Sequence, residues 1–290
     1  MNLDRFCAQA PSLGVLGVMV SQGGTLLARH DWDDGCRRNI YSASKSVTAT
    51  AVGIAQAEGL LSIDEKLTDA FADDLPAVVS PRLAKATVRD LLTMSLGQEK
   101  PFLMGAQRWE MPVCDWVKAA LNQPFSHDPG EAFLYNNVGP YLAGILVQRR
   151  AGCNLVDYLM PRLFTPLGIP RPTWETDPDG RTFGAGGLML TMPEMHKLGQ
   201  LWLNRGQWEG RQLIPAEWVD ECARKQVENG REGYGYLFWR GTNNSWRADG
   251  KYCQLIIMAP DKEAVVTIQA ECRRGSELLR LIDEEIMPQL

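Results

Sequence analysis

One serine and one lysine in this chain have the spacing of a nucleophile and its base. They form an S-x-x-K motif, Ser42-Ala43-Ser44-Lys45, which occurs once in the sequence. We expect Ser42 to open the first long helix, so that Lys45 lies about one turn further along on the same face. A serine hydroxyl needs a base within hydrogen-bond reach, and a lysine can be that base when burial lowers its pKa. In the alternative interpretation, Ser42 only caps the helix and Lys45 is a surface cation.

A second polar motif, Tyr135-Asn136-Asn137, stands at the start of another predicted helix. A phenol beside a lysine can pass a proton between nucleophile and leaving group, and an amide can orient a substrate carbonyl. The motif also has a structural explanation, in which Asn137 caps the helix and Tyr135 is a half-buried loop aromatic.

The elements that must position these residues follow the order strand, helix, strand. Apolar runs joined through Gly23-Gly24 predict a hairpin over residues 13–29. Apolar residues then recur at helical spacing between about residues 44 and 225, and short β-like runs such as 233–239 return near the C-terminus, ahead of a last helix. We therefore predict an α/β plus all-α fold, with an antiparallel sheet built from both chain ends, flanked by helices and interrupted by an inserted helical region.

The same order predicts two domains. Residues 1–58 and 232–290 would form the α/β sheet domain, and residues 59–231 would form a mainly helical domain. A boundary between such regions is a natural place for a cleft, so we expect the active site there.

Long stretches around both motifs are similar to a known family. They are IYSASKSVTATAVGIAQAEGLLSIDEKL, SHDPGEAFLYNNVGPYLAGILVQRRAG and GAGGLMLTMPEMHKLGQLWLNRGQWEGRQLIPAEWV. In these stretches, and in their order along the chain, the sequence resembles the serine β-lactamase and penicillin-binding-protein superfamily. It looks most like the class C β-lactamase-related hydrolases, in their esterase-like branch. The resemblance implies a β-lactamase/transpeptidase-like fold, with Ser42 as the acylated nucleophile, Lys45 as its base, Tyr135 as a second proton carrier and Asn137 as a substrate-binding amide.

The third motif of that family, Lys-Thr-Gly or His-x-Gly on a sheet-edge strand, is altered here. The corresponding substrate-binding residues are Ala248-Asp249-Gly250. The resemblance implies an oxyanion hole made of the backbone N–H groups of Ser42 and Lys251. In family members that act on penicillins, the cation of this motif helps hold the substrate carboxylate, so Ala248 argues against β-lactamase activity.

The amino-acid composition limits the kinds of partner and cofactor that the chain is expected to bind. The chain has 290 residues, 45% of them hydrophobic, and a net charge of −5, which lacks the basic surface that nucleic acids require. No run approaches the roughly 20 apolar residues of a membrane span, and no secretory signal is convincing. Seven scattered cysteines are typical of reduced thiols in the cytoplasm. With three histidines and no zinc spacing we expect no metal, and the resemblance implies no other cofactor.

These observations predict a cytoplasmic serine hydrolase that cleaves a small ester or amide through an acyl-enzyme on Ser42. Two alternatives stay open. The first is a true β-lactamase or D-amino-acid peptidase, and the second is a non-catalytic module that binds or senses a ligand in the same pocket. The sequence leaves the substrate and the oligomeric state undefined.

Overall fold

The computed structural model describes all 290 residues and contains ten strands. They are β1 (Val15–Gln22), β2 (Thr25–Asp31), β3 (Arg38–Asn39), β4 (Met189–Leu190), β5 (Gln207–Trp208), β6 (Arg211–Gln212), β7 (Trp239–Arg240), β8 (Trp246–Gly250), β9 (Gln254–Ala259) and β10 (Ala264–Ala270). Six of them form one antiparallel sheet in the order β2-β1-β10-β9-β8-β7, and the others form two short ribbons, β3-β4 and β5-β6. The sheet is therefore built from both chain ends, as the sequence predicts.

Ten α-helices complete the fold. They are α1 (Asp4–Gln9), α2 (Ser44–Ala57), α3 (Leu67–Ala70), α4 (Val88–Leu92), α5 (Trp116–Leu121), α6 (Val138–Ala151), α7 (Leu155–Leu159), α8 (Met192–Leu203), α9 (Ala216–Ala223) and α10 (Gly275–Glu285). No helix combines the length and the apolar character needed to cross a membrane.

The sheet is covered on both faces, which is why its central strands are buried along their whole length and consist mostly of apolar residues. Every residue of β9 and β10 is buried, whereas β2, at the sheet edge, is mostly exposed. Helix α8 packs on β1, β9 and β10 from one side. On the other side, α1 and α10 enclose a separate apolar cluster that includes Phe6, Val18, Val266 and Leu278. Strands covered on both faces gain from continuous apolar runs, because neither side meets water.

The remaining helices extend the core away from the sheet. Helix α2 packs against α6, and α6 against α4, and their apolar side chains join those of α8 in one large core. The division into a sheet domain (1–58 and 232–290) and a helical domain (59–231) stays a prediction. Helix α8 belongs to the second segment by sequence and packs on the sheet.

Candidate active site

Ser42 lies on a tight turn and not on the first long helix. The expectation that it opens the helix is wrong by two residues, because Tyr41–Ala43 form one turn of 3₁₀-helix and α2 begins at Ser44. Tyr41 adopts a φ of +47°, in the left-handed region that side chains disfavour. Two hydrogen bonds hold it there: the Tyr41 N–H donates to Asn39 Oδ1 (2.7 Å), and Ser44 Oγ donates to the Tyr41 carbonyl (2.6 Å). The turn leaves Ser42 facing a cleft while Ser44 is buried.

Lys45 is the base candidate, and it is fully enclosed. Its Nζ lies 2.9 Å from Ser42 Oγ, 2.7 Å from Asn137 Oδ1 and 2.6 Å from the carbonyl oxygen of Ala185. Burial, with a smaller contribution from the positive charge of Arg108, lowers the pKa of Lys45 to about 7. A surface-cation role for Lys45 is therefore excluded, since only 1% of the residue is exposed.

The three neighbours of Nζ match the hydrogen-bonding capacity of a neutral amine. A neutral lysine has two N–H groups and one lone pair. The two N–H groups can donate to Asn137 and Ala185, and the lone pair can then accept the hydroxyl proton of Ser42. The arrangement can therefore generate a serine alkoxide near neutral pH.

The side chain of Asn137 can contact the active site because its neighbour, Asn136, makes the side-chain hydrogen bond at the start of α6. Asn136 Oδ1 accepts from the Val138 N–H (2.8 Å) at the start of α6, whereas the side chain of Asn137, the N-cap residue, makes no capping bond. It contacts Lys45 through Oδ1 and donates through Nδ2 to the Leu103 carbonyl (2.8 Å). The amide is thus fixed in one orientation.

Tyr135 stands over the lysine. Lys45 Nζ lies 5.2 Å from the centre of the Tyr135 ring. Burial raises the pKa of the phenol, while the nearby Ser42 hydroxyl lowers it to a smaller extent. The phenol stays protonated at neutral pH and can donate a proton. The ring also lies 5.3 Å from that of Trp239, which lines the cleft.

The third motif lies on β8, next to the serine turn. A Cβ on Gly250 would come within 2.1 Å of the Ile40 carbonyl oxygen, so only glycine lets the strand approach this closely. Asp249 accepts a hydrogen bond from Arg247 (2.9 Å), and burial raises the pKa of its carboxyl. Lys251 follows at the end of the strand; it lines the cleft together with Asp249 and Gly250. Ala248 is fully buried and does not line it.

Of the predicted site residues, all but the buried Lys45 and Ala248 border one cleft of about 1560 Å³; they are Ser42, Tyr135, Asn137, Asp249, Gly250 and Lys251. Its walls also carry apolar side chains, among them Met104, Trp109, Trp174 and Phe183. No group of three or more histidine, cysteine or acidic side chains is arranged to hold a metal ion.

Comparison with known proteins identifies the family. A family model described as Beta-lactamase matches residues 3–281. The chain belongs to the Beta-lactamase family. This confirms the resemblance seen in the motifs.

Two relatives of this chain have names that describe different functions. Lovastatin esterase of Penicillium rubens is 30% identical over 152 residues, which are 45% of this chain and 37% of that protein. Penicillin-binding protein 4* of Bacillus subtilis is 23% identical over 174 residues, 52% of this chain and 36% of that protein. The chain thus matches little more than a third of the length of these curated relatives.

Solved structures confirm the fold. A putative 6-aminohexanoate-dimer hydrolase from Bacillus anthracis superposes with a TM-score of 0.81 at 17% identity, covering 100% of this chain and 85% of that one. Simvastatin synthase from Aspergillus terreus superposes with a TM-score of 0.74 at 18% identity, covering 98% and 97%. At these identities the likeness concerns the fold.

Two features of this Beta-lactamase-family site were missed from the sequence. The first is the Ala185 carbonyl that accepts from Lys45. The only signal for it is the glycine-rich run around residue 185, in which Gly184 has a φ of +68°. The second is the ion pair between Arg108 and Glu175 on the cleft wall, which no motif marks.

Proposed function

We propose that this protein is a serine hydrolase that cleaves a small ester or amide through an acyl-enzyme on Ser42. The observation that carries the proposal is the 2.9 Å contact between Ser42 Oγ and Nζ of a fully buried lysine. Burial of Lys45 as an ammonium is costly, because desolvation disfavours the charged form, so burial favours the neutral amine that can act as a base. A lysine neutral near pH 7 beside a cleft-facing hydroxyl is the arrangement that nucleophilic catalysis requires.

In the first half of the proposed reaction, Lys45 takes the hydroxyl proton and Ser42 Oγ bonds to the substrate carbonyl carbon. The carbonyl oxygen becomes an oxyanion that the N–H groups of Ser42 and Lys251 stabilise. The proton passes through Lys45 and Tyr135 to the leaving alcohol or amine, whose bond to the carbonyl carbon breaks. In the second half, water gives a proton to Lys45 and its oxygen bonds to the acyl carbon. The bond between that carbon and Ser42 Oγ then breaks, the carboxylic acid product leaves, and the proton returns from Lys45 to Oγ.

An ester or simple amide is favoured over a β-lactam by the third motif. The β-lactam ring system fixes a carboxylate beside the reacting bond, and the third-motif position that would supply a cation for it is Ala248 here, which is buried and carries no charge. Loss of one charge-assisted hydrogen bond corresponds to about 1.5–3 kcal/mol. The esterase name of the Penicillium rubens relative supports the same choice.

The proposal is tested by comparing substrates and labels on the same protein. We expect kcat/KM for p-nitrophenyl butyrate to exceed that for nitrocefin by at least about tenfold. We also expect a fluorophosphonate to add one adduct, at Ser42, by intact mass and peptide mapping. Ser42→Ala should abolish both turnover and labelling. Ser276→Ala removes an exposed serine on α10 and should change neither.

Each alternative has its own signature in this experiment. Nitrocefin or a D-Ala-D-Ala peptide as the better substrate would replace the esterase proposal with the β-lactamase or peptidase alternative. Ligand affinity without labelling or turnover would support the binding module. Labelling at Ser44 or Ser46 would contradict the assignment of the nucleophile, since both hydroxyls are buried and donate to backbone carbonyls.

A further inference from the structure

We propose that Arg108 is a positioning residue for the reaction: it fixes both groups that accept hydrogen bonds from Lys45, and it adds a positive charge to the wall of the site. The inference rests on the proposed function, in which Lys45 in its neutral form is the base. Arg108 forms its side-chain hydrogen bond with Glu175 and not with Lys45 or Ser42, so it acts on the reacting groups through their neighbours.

The first of the two acceptors, Asn137, is fixed by residues 102–108, which we call the arginine loop. The Asn137 backbone N–H donates to the Phe102 carbonyl (3.3 Å), and its side-chain Nδ2 donates to the Leu103 carbonyl (2.8 Å). Leu103 is fully buried, so this end of the loop is anchored in the core. The orientation of the amide whose Oδ1 accepts from the lysine therefore depends on the arginine loop.

The second acceptor, the Ala185 carbonyl, is fixed by Arg108 at the other end of the loop. The guanidinium forms an ion pair with Glu175 and lies over the ring of Phe183, with Cζ 4.4 Å from the ring centre. The Phe183 N–H donates to the Glu175 carbonyl (2.8 Å), and the Ala185 N–H donates to the Phe183 carbonyl (2.7 Å). Arg108, Glu175 and Phe183 thus form a closed set of contacts, two residues before the carbonyl that accepts from the lysine.

The charge of Arg108 acts on Lys45 in the same direction as burial. The Arg108 side chain is 15% exposed, against 32% for Glu175, so water screens the guanidinium less than the carboxylate. The ion pair therefore leaves a net positive potential at the buried lysine. A like charge disfavours the ammonium form, and Arg108 accordingly contributes, after burial, to lowering the pKa of Lys45 to about 7.

The other groups around Lys45 carry no charge that would offset this effect. The side chains that face it from neighbouring segments are uncharged at neutral pH; they are Ser42, Tyr135 and Asn137. The acidic side chains that line the cleft are Glu175 and Asp249, and both are held in ion pairs, with Arg108 and Arg247. The protonation of Lys45 is therefore set by burial and by Arg108.

The pH profile of kcat/KM for p-nitrophenyl butyrate tests both effects of Arg108. Arg108→Gln should raise the midpoint by at least about half a pH unit, because the like charge is gone. It should also lower the plateau at high pH at least about tenfold, in kcat more than in KM, because the acceptors of Lys45 are less well fixed. Arg108→Lys keeps the charge but not the planar group over Phe183. It should restore the midpoint and not the plateau.

The matched control is Arg149→Gln. Arg149 makes the same two kinds of contact outside the cleft, an ion pair with Asp74 and a distance of 5.6 Å from Cζ to the centre of the Phe71 ring. This variant should lower the free energy of unfolding in urea but leave the midpoint and the plateau unchanged. A midpoint or a plateau equal to that of wild type in Arg108→Gln, or an equal shift of the midpoint in the control, overturns the inference.

A titration without substrate separates this inference from the proposed function. In protein labelled with ¹³C at the lysine Cε atoms, the Lys45 resonance reports the protonation of Nζ, and its absence in Lys45→Arg assigns it. We expect a midpoint near pH 7 in wild type and a higher one in Arg108→Gln. If this difference were found in a protein that turned over no ester, the proposed function would fail and the action of Arg108 on Lys45 would be supported. Ester turnover with identical titrations in the two proteins overturns the inference and leaves the proposed function standing.

Discussion

At the scale of single residues, the chemistry depends on the surroundings of Lys45. Its Nζ has three oxygen neighbours and no carboxylate among them, so nothing compensates the ammonium charge and burial lowers the pKa to about 7. The active form is the neutral amine, which predominates above that pH. The S-x-x-K spacing predicts the pair, but it could not predict the burial, because the residues that enclose Lys45 come from α6 and from the segment around Ala185.

The pH dependence of catalysis follows from that pKa. We expect kcat/KM for p-nitrophenyl butyrate to rise about tenfold per pH unit up to about pH 7 and to level off above it, as Lys45 loses its proton. Lys45→Arg should be inactive across pH 5–9, because a guanidinium stays protonated. Lys100→Arg, at an exposed site, should retain the wild-type profile. A pH-independent rate, or an active Lys45→Arg enzyme, would show that Lys45 is not the base.

At the scale of elements, the sequence predicts most helices and strands, and each of the two errors has an identifiable cause. The run 233–239 reads as a strand, yet only Trp239 joins one. Leu237 interrupts it with a φ of +60°, and its N–H donates to the Leu92 carbonyl of α4 (2.9 Å). A tertiary contact has therefore overridden a β-like pattern. The late start of α2 has a local cause, the left-handed turn at Tyr41, which hydrogen bonds to Asn39 and from Ser44 hold in place.

The contact between β8 and the serine turn gives a prediction at this scale. Gly250→Ala should lower kcat/KM at least about tenfold, because its Cβ would displace the strand from Ile40 and shift Lys251 relative to Ser42. The loss in the free energy of unfolding should be smaller than the loss of transition-state stabilisation that this fold-change represents. Gly275→Ala is the matched control, since a Cβ there meets its nearest atom at 3.4 Å. Ester kinetics and urea unfolding of both variants provide the measurement. Wild-type kinetics in Gly250→Ala would show that this contact does not position Lys251 relative to Ser42.

At the scale of the whole molecule, the site joins four distant parts of the chain. Ser42, Asn137, the Ala185 carbonyl and Gly250 come together only in the folded state. Periodicity and turn signals predict the elements that carry them, but not their meeting. The S-x-x-K and Tyr-x-Asn motifs indicated Ser42 and Asn137, and the resemblance to a family assigned their roles and added Gly250. The Ala185 carbonyl was not, because every residue has such a group and only its position gives it a role.

A buried histidine on α8 links the middle of the chain to strands from both chain ends. His196 on α8 contacts Thr267 on β10 through Nδ1 (2.8 Å) and Ser21 on β1 through Nε2 (2.9 Å). The middle of the chain is thereby bonded to strands from both ends. Burial lowers the pKa of His196 from 6.5 to about 4. At pH values between these two, the unfolded chain binds more protons than the folded one. The free energy of unfolding therefore has its full value above pH 6.5 and decreases as the pH falls toward 4.

The difference between these pKa values sets the size of the effect. At pH 4.5 the free energy of unfolding is about 2–3 kcal/mol lower than at pH 7 because of this difference. We expect His196→Gln to be less stable than wild type at pH 7, since it loses packing and one hydrogen bond, but to lose about 2–3 kcal/mol less between pH 7 and 4.5. His30→Gln, on the exposed edge strand, should follow the wild-type curve. Urea unfolding at the two pH values measures the difference. If wild type and His196→Gln lost the same free energy on acidification, His196 would not be the group through which acid weakens the contact between the sheet and α8.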